Sequence, residues 1–366
     1  MIRINSSTNK SNKPAIANTL QAGQALGLCL LLCFLVGCSP SQPAESTAET
    51  SFHSGPFRVV GDLRLPEGKG PHPVVVFVHG DGPNNRTSGG SYIPIIERML
   101  RAGYATFAWD KPGTGESTGQ IDRSRLIEQR SQIVLDAIAM LKEHPDIDAQ
   151  QIGLWGISQA GYVMPVVLSK SDDVAFMIAV SCPGVAGVDQ GAYLVSAQAV
   201  CAGLPEEDAE QVEYLLSAIE RARTYDEYVQ YKGQLAAYPA LASVTELGLT
   251  LEIRPEEEWH AHDPNGDYSW NPIEVIERTT IPVLAFFGAK DTQVDPNQGA
   301  QAYRAALERA GNPNFRVELV PDVDHNIILS ETGCIKERDR RSASGWRNYP
   351  PQYLDTIEEW LRELRH

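Results

Sequence analysis

Short β-branched or aromatic runs alternate with stretches of helical period along most of this chain, and that alternation leaves few architectures open. Phe57 to Leu65, Val74 to Val78, Tyr104 to Trp109 and Ile152 to Ile157 read as strands, as do Ala175 to Ser181, Ile281 to Gly288 and Phe315 to Val320. Between them, Tyr92 to Ala102 and Ser124 to Glu143 carry apolar residues at helical spacing, and Pro351 to Arg365 reads as an amphipathic helix. Strands and helices in alternation predict an α/β fold: a mostly parallel sheet with helices on both faces. The alternation stops between Gly184 and Ile281, where the chain is mostly helical by pattern and acidic (Glu206, Glu207, Asp208, Glu210, Glu213). That stretch is expected to be an inserted, mainly helical cap over the C-terminal edge of the sheet. The expected divisions are therefore a core over 56–183, a cap over 184–280 and a second part of the core over 281–366, with no internal repeat.

The first 37 residues do not belong to this core. Arg3, Lys10 and Lys13 precede an apolar run from Ala25 to Gly37, too short for a membrane span, which needs about 20 apolar residues. A basic start followed by a short apolar stretch predicts a secretory signal peptide over 1–37. The run ends Leu35-Val36-Gly37-Cys38, which resembles the lipobox of bacterial lipoproteins. The resemblance implies that Cys38 is acylated and begins the mature chain, with the protein held in the cell envelope; Ser39 after it is compatible with outer-membrane sorting. From Ser39 to Ser54 the residues are Ser, Pro, Thr, Ala and Glu in the main, without apolar period, and the segment 38–55 is expected to be a flexible tether.

The formal net charge is -16 and the pI about 5.0. The first 37 residues hold three basic residues and no acidic one, so the remainder stands at -19. Such a chain repels phosphate backbones, which excludes nucleic acid as a partner. Beyond Cys38 only Cys182, Cys201 and Cys334 remain, enough for one disulfide and without the spacing of a metal site.

Chemistry concentrates where strands end. Gly156-Ile157-Ser158-Gln159-Ala160-Gly161 lies between a strand and a helix. A serine on so tight a turn projects its Oγ from the sheet edge, and the turn demands small residues two before and two after it, met by Gly156 and Ala160. A serine hydroxyl needs a base and an orienting acid to become a nucleophile. Downstream, Phe287-Gly288-Ala289-Lys290-Asp291 ends one strand on an acid and Val320-Pro321-Asp322-Val323-Asp324-His325 ends the last on a histidine. The candidates are Ser158 as nucleophile, His325 as base and Asp291 as acid, with Asp295 as the runner-up acid. Two backbone N–H groups, of Gln159 and of Asp81 in His79-Gly80-Asp81-Gly82-Pro83, are the candidate oxyanion donors. His79 itself reads as structural.

Together Val78-His79-Gly80-Asp81-Gly82-Pro83, Trp109-Asp110-Lys111-Pro112-Gly113-Thr114-Gly115-Glu116-Ser117 and Trp155-Gly156-Ile157-Ser158-Gln159-Ala160-Gly161 resemble the α/β-hydrolases. Their order is similar to the bacterial branch of serine-aminopeptidase-like and dienelactone-hydrolase-like esterases. The resemblance covers about Phe57 to His366 apart from the cap, and implies hydrolysis of a carboxylic ester or related acyl bond on a small acylated substrate, without a cofactor. It leaves the substrate open, since one fold hosts many reactions.

Other motifs carry less. Gly113-Thr114-Gly115-Glu116-Ser117-Thr118-Gly119 places its third glycine one position late for a dinucleotide loop, and Gly68-Lys69-Gly70 lacks the rest of a phosphate loop. His260-Ala261-His262-Asp263 holds ligand-type residues but reads as a polar cap loop, and no metal is expected. Trp259, Tyr268 and Trp270 are candidates for the substrate pocket. Three functions remain open: an esterase; an exopeptidase, in which Glu256-Glu257-Glu258 would hold a substrate ammonium, or a thioesterase or acyltransferase on the same residues; and an envelope lipoprotein that keeps the fold without catalysis. The oligomeric state is not legible.

Overall fold

The computed structural model describes residues 45–247, 249–261, 269–340 and 348–365. Eight strands form one sheet: β1 Ser46–Ser54, β2 Phe57–Leu65, β3 His72–Val78, β4 Ala105–Trp109, β5 Ile147–Ile157, β6 Val174–Val180, β7 Val283–Gly288 and β8 Phe315–Val320. Their order is β1-β2-β4-β3-β5-β6-β7-β8; β2 is antiparallel to both neighbours and every pair from β4 to β8 is parallel. The helices are α1 Ile93–Arg101, α2 Leu126–Lys142, α3 Ala160–Lys170, α4 Gly187–Cys201, α5 Glu206–Glu220, α6 Tyr225–Leu235, α7 Ile273–Ile276, α8 Pro296–Arg309, α9 Ile335–Arg340 and α10 Pro351–Glu363. None among the described residues is long and apolar enough to cross a membrane.

The central strands are buried on both faces, which is why they read as unbroken apolar runs. On one face Val76, Leu154, Ala179 and Ala285 pack with α2, α3 and α8. On the other, Phe77, Trp155, Ile178 and Phe286 pack with α1 and α10, whose Ile357, Trp360 and Leu361 form the apolar stripe expected from the sequence. The expected α/β fold with helices on both faces is present.

Neighbouring strands β3 and β5 lead into helices on opposite faces, α1 on one and α3 on the other. Two chains that part in this way leave a crevice at the strands' C-terminal ends, the usual binding place of an open parallel sheet. The inserted segment is mainly helical, as expected: α4, α5 and α6 pack through Val212, Leu215, Leu216, Tyr228 and Leu235 into a small core of their own.

Two expectations need correction. Ser46 to Ser54 is no tether but the edge strand β1, paired residue by residue with β2 through a turn at Gly55-Pro56. Only Phe52 and Ser54 of it are buried, so no apolar period was there to find; backbone pairing templated by β2 orders the segment. The rest of the expected tether, like the expected signal peptide and Cys38, lies outside the described residues. In addition, α8 had no counterpart in the sequence reading, although Asp295-Pro296 starts it as a capping acid followed by a first-turn proline.

Candidate active site

Ser158 follows β5 directly and precedes α3. Its φ of 58° lies in the left-handed region, which costs a residue with a side chain of the order of 1 kcal/mol or more. The surroundings hold it there: its N–H donates to Val180 O at 2.9 Å and its carbonyl accepts from Gly161 N–H at 2.8 Å. Gly156 is required by close approach, because a Cβ there would stand 2.7 Å from both Ala160 Cβ and Met164 Sδ. The side chain is half-buried.

Asp291 and His325 leave the ends of β7 and β8, which are neighbours in the sheet. The His325 Nδ1–H donates to Asp291 Oδ2 at 2.7 Å, and the pair is buried, with 5% of the histidine and 2% of the aspartate exposed. The other carboxylate oxygen, Oδ1, accepts the N–H groups of Gln293 (2.7 Å) and Val294 (3.0 Å). With Nδ1 donating, Nε2 is left with a free lone pair, the form a general base requires. Gly288 lets the two loops meet: a Cβ on it would lie 2.2 Å from Asp324 O, next to His325. Asp295 points elsewhere, capping α8 by accepting from Asn297 N–H and Gln298 N–H at 2.9 and 3.0 Å.

Ser158 and His325 line one cavity of about 420 Å³ together with Gly80 and Asp81. Their side chains share no hydrogen bond in this arrangement, as is common before a substrate arrives. A second cavity of about 220 Å³ is lined by Ser158, Gln159, Asp81, Tyr162 and Leu194. Ser158, Asp81 and Gln293 therefore border both, while His325 borders the larger alone.

The N–H groups of Gln159 and Asp81 have no protein acceptor among the described residues. Their side chains meet, Gln159 Nε2 donating to Asp81 Oδ1 at 3.1 Å. His79 is structural, as expected. Its Nε2–H donates to Trp109 O at 2.6 Å and its Nδ1 accepts from the Tyr92 hydroxyl at 3.2 Å; burial, helped by the Lys111 charge, pulls its pKa down to about 3.

The expected pocket aromatics are not brought here. Trp259 packs with Tyr225 and Tyr228 in a separate cavity of the cap, and Trp270 packs against the main core; neither borders Ser158. Tyr268 lies outside the described residues. The rings at the larger cavity are Tyr92, Trp155, Tyr349 and Tyr353; Tyr92 meets Trp155 edge-on, Tyr349 stacks on Tyr353, and all four pack on the α1 side of the sheet. Burial raises the Tyr92 and Tyr349 phenols above their ordinary range, so they stay neutral. These residues were missed because each reads locally as core.

Three charged residues were missed as well. Lys111 and Arg130, both buried, donate to carbonyls of the His79–Gly82 loop. Arg86 binds Asp110 through Nη2 at 2.8 Å and Asp62 at 2.8 Å, and reaches Glu49 of β1 at 3.1 Å. Burial pushes the Asp110 carboxyl up, but Arg86 and the Glu116 N–H together outweigh it and hold the group below its usual range. Glu256–Glu258 form a short exposed turn bordering neither cavity of Ser158. No group of three or more possible metal ligands occurs among the described residues, and part of the His260 to Asp263 stretch lies outside them.

Residues 54–322 match the family described as X-Pro dipeptidyl-peptidase (S15 family). The chain is 27% identical over 284 residues to esterase EstD of Thermotoga maritima, covering 74% of this chain and 58% of that protein, so it spans little more than half of that relative. Among solved structures it is similar to the Pyrococcus furiosus esterase PF2001, at a TM-score of 0.52 and 15% identity, covering 87% of this chain and 91% of that one. It is also similar to the proline iminopeptidase of Mycobacterium smegmatis, at a TM-score of 0.51 and 16% identity, covering 86% and 98%. At such identities the structures speak for the fold: the α/β-hydrolase fold.

Proposed function

The chain belongs to the X-Pro dipeptidyl-peptidase (S15) family of the α/β-hydrolase superfamily, and from that premise we propose that it is a serine hydrolase cleaving carboxylic esters through an acyl-enzyme. One observation carries the reading: His325, paired with buried Asp291 at 2.7 Å, borders the same cavity as Ser158, which stands on a turn at φ 58°. Ser158 Oγ attacks the substrate carbonyl carbon as His325 Nε2 takes its proton, and Asp291 stabilises the imidazolium. The Asp81 and Gln159 N–H groups receive the oxyanion. The bond to the alcohol oxygen then breaks and His325 returns the proton to that oxygen. Water attacks the acyl-enzyme, giving its proton to His325, which restores Ser158 as the acid departs. Because His325 borders only the larger, aromatic cavity, the leaving alcohol occupies that side and the acyl group the smaller one.

A fluorophosphonate should label Ser158, and His325→Ala should abolish p-nitrophenyl ester turnover with Tm nearly unchanged. A folded protein that takes no label refutes the covalent scheme. The family favours a second reading on the same residues, release of a dipeptide after proline; similarity to an esterase over 284 residues favours the first. Turnover of an X-Pro anilide faster than of the ester would decide for the peptidase.

The chain is further proposed to be held in the cell envelope by acylated Cys38. The Cys201–Cys334 disulfide accords with an oxidising compartment. Cys38→Ala should release the protein from membranes into the soluble fraction; a variant that still sediments with membranes refutes the anchor.

A further inference from the structure

Two cations lie behind the Asp81 loop, and the hydrolytic steps above use neither. Lys111 Nζ donates to Gly80 O and to Gly82 O, each at 2.7 Å. Arg130 donates from one end of its guanidinium to His79 O and from the other to Gln159 Oε1. They are 7% and 5% exposed, and among the described residues neither has a carboxylate within ion-pair distance, the Asp81 carboxylate favouring both charges only from further off. Buried cations without such partners are costly, and apolar residues of similar volume would serve packing better. Burial, reinforced by Arg130, lowers Lys111 to about 7; burial lowers Arg130 to about 10.

The geometry gives that cost a use. A trans peptide unit is planar, with its C=O and N–H pointing in opposite directions. Gly80 O and Asp81 N–H belong to one such unit, so an ammonium gripping the oxygen from behind turns the N–H forward. His79 O and Gly80 N–H form the unit before it, fixed the same way by Arg130. The Asp81 carbonyl in turn accepts from Asn84 Nδ2 at 2.9 Å. A positive charge on a peptide oxygen also polarises the unit, making its N–H a stronger donor. Through Gln159, Arg130 ties the second donor's residue to the same frame.

We propose that Lys111 and Arg130 are positioning residues of the oxyanion site, which grip the carbonyls behind the His79–Gly82 loop and thereby aim the Asp81 N–H. The proposal rests on the ester-hydrolase reading. It is tested by Lys111→Met and Lys111→Arg with two inhibitors: a trifluoromethyl ketone, whose adduct with Ser158 carries an oxyanion, and the matching methyl ketone, bound as a planar carbonyl. Lys111→Met should lower kcat on p-nitrophenyl butyrate about 100-fold with KM within about threefold. It should weaken the trifluoromethyl ketone by a similar factor and leave the methyl ketone nearly unaffected, and Lys111→Arg should recover about tenfold. Should Lys111→Met not fold, Arg130→Lys, whose ammonium cannot reach both His79 O and Gln159 Oε1, should show the same split at about tenfold. Equal weakening of both ketones, or unchanged kcat in a folded variant, overturns the proposal. Wild-type protein that neither hydrolyses the ester nor forms the adduct refutes the hydrolase reading itself and the oxyanion role with it.

Discussion

Asp291 and Asp295 stand four residues apart in one loop, and a sequence can offer both as the acid of a Ser–His pair. Their surroundings separate them: one meets His325 at 2.7 Å, the other meets two backbone N–H groups at the start of α8. Asp291→Asn should leave the fold intact and reduce kcat by roughly 10²- to 10⁴-fold, because the amide favours the wrong imidazole tautomer. Asp295→Ala should keep kcat within about threefold and cost about 1 kcal/mol of stability through the lost cap. Steady-state kinetics with thermal melts check both; a matching loss of kcat in Asp295→Ala would reverse the assignment. The acid was narrowed to two by strand context, and the signal that decides between them was also present. Asp followed by Pro and a helical stretch is a helix start, and a carboxylate used as a cap is not free to serve a histidine. Arg130 left a similar trace, as a charged residue on the buried stripe of Ile127, Val134, Ala137 and Leu141. Lys111 left none, since its partners are backbone oxygens of a loop some thirty residues away.

At the scale of elements, what could be read was whatever declares itself through its own side chains. β3, β5 and β7 are buried on both faces, so their apolar runs stand out, and the turn after β5 demands small residues wherever it occurs. β1 is ordered by hydrogen bonds to β2 and by Glu49 reaching Arg86, neither of which depends on apolar pattern. Polarity was therefore a poor guide to disorder there. The aromatic pocket failed for the converse reason: Tyr92, Trp155 and the Tyr349/Tyr353 pair come from three separate places in the chain, and only the folding of α1 and α10 onto one face of the sheet unites them. Trp259 and Trp270, which looked like pocket residues, satisfy packing elsewhere.

Across the whole molecule, the cap is fastened to the loops that carry the candidate triad, and α4 also borders the smaller cavity at Ser158. From α4, Tyr193 Oη donates to Asp291 O at 2.8 Å, Gln190 Nε2 to Gln293 O at 2.8 Å, and Gln198 Nε2 to Thr292 Oγ1 at 2.7 Å. Gln198 Oε1 also accepts from Ile335 N–H at 3.2 Å, and Cys201 at the end of α4 is bonded to Cys334. One helix thus holds the Asp291 loop and the segment after His325. The disulfide closes a sequence separation of 133 residues, for which the chain-entropy estimate is about 5 kcal/mol, an upper figure. Replacing both cysteines by alanine should lower Tm by about 5 °C or more. It should leave kcat at 25 °C within about twofold, because the three α4 side chains still hold the Asp291 loop. Adding Gln198→Ala to that variant should then cut kcat further than it does in the disulfide-bonded protein, since two fastenings of one loop are partly redundant. Equal effects of Gln198→Ala in the two backgrounds, read by kinetics at matched distance below Tm, would mean that the disulfide stabilises the fold without securing the Asp291 loop.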